Sequence, residues 1–203
     1  MPSQPIKASV LVIACGALAR EINDLKNSYG WAHLDMLCID ARLHLRPELI
    51  PQRLRDKICE NRGKYEKIFV AYADCGTGGE IDRVLEKENI ERLPGAHCYQ
   101  FYAGSARFKV ISETEPGTFY LTDFLAQHFE RLVIRPLKLH LHPELMDAYF
   151  GNYSRLVYLS QRRDQHLLLA AKKAASQLGL TFTRIHCGYG ELESNLKVQL
   201  QNA

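Results

Sequence analysis

Three times in this chain an apolar, β-type run breaks into Cys-Gly and then into a helical pattern carrying Glu: VIACGALAREI at 12–22, IFVAYADCGTGG at 68–79 and FTRIHCGYGEL at 182–192. Continuous apolar runs of this length read as strands buried on both faces, which is the signature of a parallel sheet covered by helices. In such sheets ligands sit beyond the carboxyl ends of the strands. The recurrence therefore predicts an α/β fold, and it predicts that the three Cys-Gly turns converge on one crevice.

The pattern between these turns fits that reading. Val10–Ala14 is expected as a first strand, Ala17–Asn27 as a helix with Leu18, Ile22 and Leu25 on one face, and Asp35–Asp40 as a second strand. A helix with Leu54 and Ile58 inward follows Arg46-Pro47, and another, Gly79–Glu88, follows the Ile68 strand. His97–Tyr102 is aromatic and β-like, so a strand is expected there, with a helix over Gly104–Ser112. Glu115-Pro116-Gly117 marks a break, and Thr118 reads as the N-cap of a helix running Phe119–Leu132. Pro143–Phe150 (helix), Leu156–Leu159 (strand), Gln165–Leu178 (helix), Thr181–His186 (strand) and Glu191–Leu200 (helix) complete the chain. The fold class expected is α/β, a mostly parallel, Rossmann-like sheet with helices on both faces.

With 203 residues the chain is one ordinary domain, 1–203, or two similar, intimately packed halves at 7–113 and 117–203. The halves rest on an echo between Arg42-Leu43-His44-Leu45-Arg46-Pro47-Glu48-Leu49 and Lys138-Leu139-His140-Leu141-His142-Pro143-Glu144-Leu145. A formal net charge of +3 with Lys and Arg scattered gives no nucleic-acid footprint. No stretch is long enough to span a bilayer. Val12-Ile13-Ala14-Cys15 imitates a lipoprotein cleavage site, but the apolar run is brief and continues into a helix, so a core strand fits better.

Six cysteines exceed what packing needs and lack the density of a disulfide scaffold, which points to metal, redox or nucleophilic use. Cys15, Cys75 and Cys187 are expected where a strand hands over to a helix, a place that stabilises a thiolate. Cys98 beside His97, and His44 after the second strand, complete a mixed sulfur and nitrogen set. Cys15, His44, Cys75, Cys98 and Cys187 are thus candidate ligands for zinc or iron, including an iron–sulfur cluster. Because no Cys-x-x-Cys pair is present, such a site must be assembled from distant segments. Cys38 and Cys59 are expected as small buried groups.

Asp74-Cys75-Gly76-Thr77-Gly78-Gly79 also resembles an anion cradle, so Gly76, Thr77, Gly78 and Gly79 are candidates to touch a cofactor or ligand. It lacks the Lys of a P-loop and the spacing of a dinucleotide fingerprint. Asn152 and Arg155, flanking a turn before a strand, are further ligand candidates, and caps or surface pairs explain such residues as well. His97 and Asp74 are the candidate proton-transfer groups.

Taken together, the ACG start, Leu-His-x-x-Pro at 43–47, YADCGTGG, Gly-x-His-Cys-Tyr at 95–99, GTFYLTDFL and YFGNYSRLVYL resemble domain-of-unknown-function family 1638. The resemblance covers nearly the whole chain. Genes of that family often neighbour corrinoid-dependent methyltransferases, so the resemblance implies a cytoplasmic protein of one-carbon or methylamine-type metabolism, with a corrinoid protein or corrinoid-dependent methyltransferase as partner. It carries no assigned reaction. Cys15, His44, Cys75, His97 and Cys98 fall within its motifs, and Cys187 lies outside them.

Three functions follow as expectations. One is a zinc or iron thiolate centre supporting methyl transfer, with a corrinoid reached only through a partner protein and a small molecule as substrate. Another is a metal-free cysteine nucleophile or redox thiol, Cys75 foremost. The third is a non-enzymatic accessory that loads or reactivates a corrinoid protein.

Overall fold

A computed structural model describes residues 9–201, which form two compact units: residues 9–98 with 192–201, and residues 99–191. Each is an α/β layer built on a three-stranded parallel sheet, with helices on both sides of the strands. Gly117, where the sequence suggests a seam, lies inside the second unit, its carbonyl accepting from Ser154 N at 2.9 Å.

In the first unit the order is β2-β1-β3, with β1 Val10–Cys15 central between β2 Leu34–Ile39 and β3 Lys67–Ala71. All six β1 residues are buried, which is why this strand is a continuous apolar run rather than an alternating one. Helix α1, Ala19–Tyr29, buries Ile22 and Leu25 and ends at Gly30, whose φ of 63° supplies the left-handed cap. Helix α2, Ile50–Asn61, buries Leu54 and Ile58 and packs beside α3, Glu80–Glu88.

The second unit has the order β4-β5-β6, with β5 Arg155–Ser160 between β4 Thr118–Thr122 and β6 Thr181–His186. Its central strand follows the first edge strand in sequence, whereas in the first unit the central strand comes first. Two segments expected otherwise belong here. Residues 98–103 are a short helix, α4 Cys98–Ala103, followed by α5 Ser105–Thr114. Gly95 and Gly104, with φ of 106° and 84°, bracket α4, and local backbone pairing overrides the β propensity of its aromatics. The expected helix from Phe119 is instead β4 followed without a loop by α6, Asp123–Gln127, so the N-cap is Thr122 and not Thr118. Helices α7 Met146–Phe150, α8 Gln165–Gln177 and α9 Gly190–Gln201 complete the chain. Among the described residues no helix is long and apolar enough to cross a membrane.

Candidate functional site

The carboxyl edge of the first sheet gathers three of the six cysteines and two of the eight histidines. Cys15 ends β1, and its thiol accepts from Ala17 N at 3.4 Å, capping the turn that leads to α1. The turn sits tight over β2, since a Cβ on Gly16 would stand 3.1 Å from the Ile39 carbonyl, so the residue after Cys15 has to be glycine or force a shift. Beyond β3 the chain runs on through buried Tyr72 and Ala73 into the Asp74–Gly79 loop. Residues 91–96 follow alongside: Leu93 N donates to Val70 O at 3.0 Å, Asp74 N to Gly95 O at 3.1 Å and Cys75 N to Ala96 O at 2.8 Å. Arg92 fastens this segment by bidentate bonds to Asp82 at 2.5 and 2.8 Å, and by bonds to the carbonyls of Leu93 and Gly95. That run delivers His97 and Cys98 to the same edge.

Tyr72 is the centre of the cluster. It is 0% exposed, and its hydroxyl interacts with the Cys15 thiol but meets no group in full hydrogen-bond geometry. Burial first, then the charge that would sit on Cys15 and the interaction with its thiol, then the charges on Cys75 and Cys98, push its ionisation far up. The His44 ring stacks on Tyr72 at 5.9 Å between centroids and 13° between planes. His44 Nδ1 lies 2.8 Å from the Ala41 carbonyl. A carbonyl only accepts, so Nδ1 carries the proton and Nε2 the lone pair. Desolvation and the nearby His97 hold the His44 pKa below its ordinary value, although the bond to Ala41 works against them.

The thiols are not the stabilised thiolates that the strand-to-helix pattern suggests. Burial pushes Cys15 up to about 11, outweighing the Ala17 bond, and burial with the neighbouring Cys15 pushes Cys75 up to about 12. Cys15 caps a helical turn, but Cys75 does not. Helix α3 begins five residues after Cys75, behind a left-handed Gly79. Cys75 itself has φ of 51°, a left-handed backbone that a side chain makes costly.

The glycine-rich loop is closed on Asp74. Thr77 Oγ1 and Gly79 N donate to Asp74 Oδ1 at 2.7 and 2.8 Å, and Gly78 N donates to Oδ2 at 3.2 Å. Amides expected to meet a bound anion, those of Gly78 and Gly79, thus point at the loop's own carboxylate. Burial pushes the Asp74 pKa up, but the three donors and the Arg92 charge more than offset that and hold it below the usual range. Gly76, with φ of 84°, and Thr77 continue the same turn.

The remaining candidates belong to other elements. Cys187 belongs to the second unit, just beyond β6; its thiol donates to Ile185 O at 3.6 Å, and burial raises its pKa. Arg155 opens β5 at the amino edge, where its guanidinium meets Glu115 at 2.7 Å and Thr118 Oγ1 at 2.8 Å, so it ties strands together there. Asn152 lies in the turn that precedes it, its carbonyl close over Gly117. Cys38 and Cys59, expected as buried, are both exposed. Among the described residues no three His, Cys, Asp or Glu side chains already stand as a metal-holding group. Tyr72 escapes a search for charged or sulfur ligands; its signal is a hydroxyl inside an otherwise aliphatic strand end, three residues before Cys75.

Residues 38–196 match the sequence profile of a family described as "Protein of unknown function (DUF1638)". No curated protein matches the chain. Among solved structures, ornithine carbamoyltransferase from Pyrococcus furiosus aligns at 13% identity over 89% of this chain and 55% of that chain, with a TM-score of 0.25. The chain thus spans just over half of that structure, and the likeness is too loose to carry function.

Proposed function

This chain belongs to the DUF1638 family, and from the residues themselves we propose that the carboxyl edge of its first unit is a thiolate centre for zinc or iron, serving methyl or one-carbon transfer. The observation that carries the reading is the fully buried Tyr72 hydroxyl, which meets the Cys15 thiol without full hydrogen-bond geometry and feels the charges of Cys75 and Cys98, with His44 stacked on its ring. A buried hydroxyl without a full hydrogen bond costs about 1–3 kcal/mol unless something occupies the site to meet it.

Cys15, Cys75 and Cys98 supply sulfur and His44 supplies Nε2, a soft donor set suited to zinc or iron. Burial holds the Cys15 and Cys75 thiols up at about 11 and about 12, and a bound metal would deprotonate coordinating thiols. The same values weigh against a metal-free cysteine nucleophile, which needs a lowered pKa. The set is not preassembled among the described residues, so holding an ion would require these side chains to turn toward a common point. The metal when bound supplies Lewis acidity, or holds a substrate thiol as thiolate. His97, exposed and near enough to His44 to lower its pKa, is the group proposed to move a proton, while Asp74 is committed to its loop. A corrinoid protein as methyl donor or acceptor is the partner that the family resemblance implies.

Elemental analysis of protein purified without oxygen tests the reading. One zinc or iron per chain, lost in Cys75→Ser, is expected. Cobalt substitution should add a sulfur-to-metal charge-transfer band that the same variant abolishes. Metal-free wild-type protein that also fails to take up added zinc, iron or cobalt overturns it.

A further inference from the structure

The second unit has a polar cleft at the carboxyl ends of β5 and β6, about 430 Å³ in volume and lined by Arg163, Asp164, Gln165, Arg184 and His186. We propose that it binds an oxyanion, the phosphate or carboxylate group of a small molecule.

Ser160, the last residue of β5, is 0% exposed, and its hydroxyl is shared between two lining side chains. Arg184 Nε donates to Ser160 Oγ at 3.1 Å, and Ser160 Oγ lies 3.1 Å from His186 Nδ1. One buried hydroxyl therefore fixes a guanidinium and an imidazole side by side on the edge strand. With Nε committed to Ser160, the two terminal nitrogens of Arg184 remain for a ligand, the fork that matches a carboxylate or phosphate.

The charges do not cancel. Neither Arg163 nor Arg184 forms an ion pair among the described residues. The one carboxylate in the lining, Asp164, spends Oδ1 on His166 N and Leu167 N as the cap of α8, and its Oδ2 faces Arg162 at 3.7 Å. Arg162 pairs in turn with buried Asp123 at 3.3 Å. The cleft thus keeps two uncompensated guanidiniums at the edge of a parallel sheet where ligands collect. The inference uses residues of the second unit alone and does not depend on the thiolate reading.

Titration of the full chain with inorganic phosphate and, separately, with acetate tests it, followed by calorimetry and by phosphorus NMR line width. Saturable binding of phosphate that weakens at least tenfold in Arg184→Gln, and further in Arg184→Gln/Arg163→Gln, is expected for a phosphoryl ligand. Acetate binding with the same sensitivity supports the site with a carboxylate ligand. Arg184→Lys, which keeps the charge and loses the fork, should fall between. Both arginines are exposed, so these variants should fold, which circular dichroism checks. No saturable binding of either anion, or binding unchanged in the double variant, overturns the proposal.

Discussion

Tyr158 donates its hydroxyl to Asp123 Oδ1 at 2.6 Å, with both side chains buried. The same carboxylate accepts from Gln161 N at 3.1 Å and Arg162 N at 3.0 Å, so one side chain at the start of α6 closes the carboxyl ends of β4 and β5. Gln161 returns the contact through Oε1, which accepts from Asp123 N at 2.8 Å. A buried carboxylate with three donors and a guanidinium is costly to disturb from either side.

Asp123→Ala should therefore destabilise the protein by about 2–4 kcal/mol, because it takes the acceptor from two backbone amides and from the Tyr158 hydroxyl and leaves the half-buried Arg162 guanidinium only Asp164. Tyr158→Phe keeps those and removes one donor, for about 1–2 kcal/mol. Denaturant unfolding of the two variants checks the order. Equal losses would mean that the network is not centred on the carboxylate.

Much of this was legible in the sequence, for reasons tied to particular residues. The runs ending at Cys15 and before Cys75 are parallel strands because a strand buried on both faces must be apolar throughout. The six residues Thr181–His186 form the strand expected of them, while the segment 97–102 does not, since glycines at 95 and 104 reverse the chain and a short helix fits between. Thr118–Thr122 escaped because strand and helix abut with no turn residue, and the alternation of five residues blurs into the helical period that follows. The position of His44 over Tyr72 is tertiary; nothing in the spacing of residues 44 and 72 encodes it.

Acid should open the glycine-rich loop. Asp74 has its pKa lowered in the folded protein, so its contribution to stability is full above the ordinary carboxylate pKa and is lost as pH falls through the folded value. Asp74→Asn should cost about 1 kcal/mol at pH 7, given partial exposure of the loop. The gap between wild type and variant should narrow at pH 3. A gap of the same size at both pH values would show that the carboxylate charge does not hold the loop.

Thiol labelling should sort the cysteines by burial. Exposed Cys38 and Cys59 should react first with a maleimide at pH 7, and Cys15, 4% exposed with its pKa pushed up to about 11, should resist until the protein unfolds. Peptide mass spectrometry over a time course reads the order. Under the thiolate proposal, zinc should further slow Cys75 and Cys98 while leaving Cys38 and Cys59 unchanged. Protection spread evenly over all six would point to general stabilisation instead.

Cys75 offers a way to separate ligand from scaffold. Its φ of 51° disfavours any side chain, and it is followed by Gly76 at 84°, so the backbone here is shaped for glycine at two successive positions. A residue kept in the left-handed region despite that cost of about 1–2 kcal/mol is retained for its side chain or is held by its surroundings. Cys75→Ala loses the sulfur and keeps the strain; Cys75→Gly loses the sulfur and relieves it. The glycine variant should therefore be the more stable of the two by about 1 kcal/mol in thermal or denaturant unfolding, although glycine frees the unfolded chain and gives some of that back. Both should fail to bind zinc or cobalt if Cys75 is a ligand. A glycine variant less stable than the alanine variant would mean that the surrounding bonds, Cys75 N to Ala96 O among them, set this conformation at no cost.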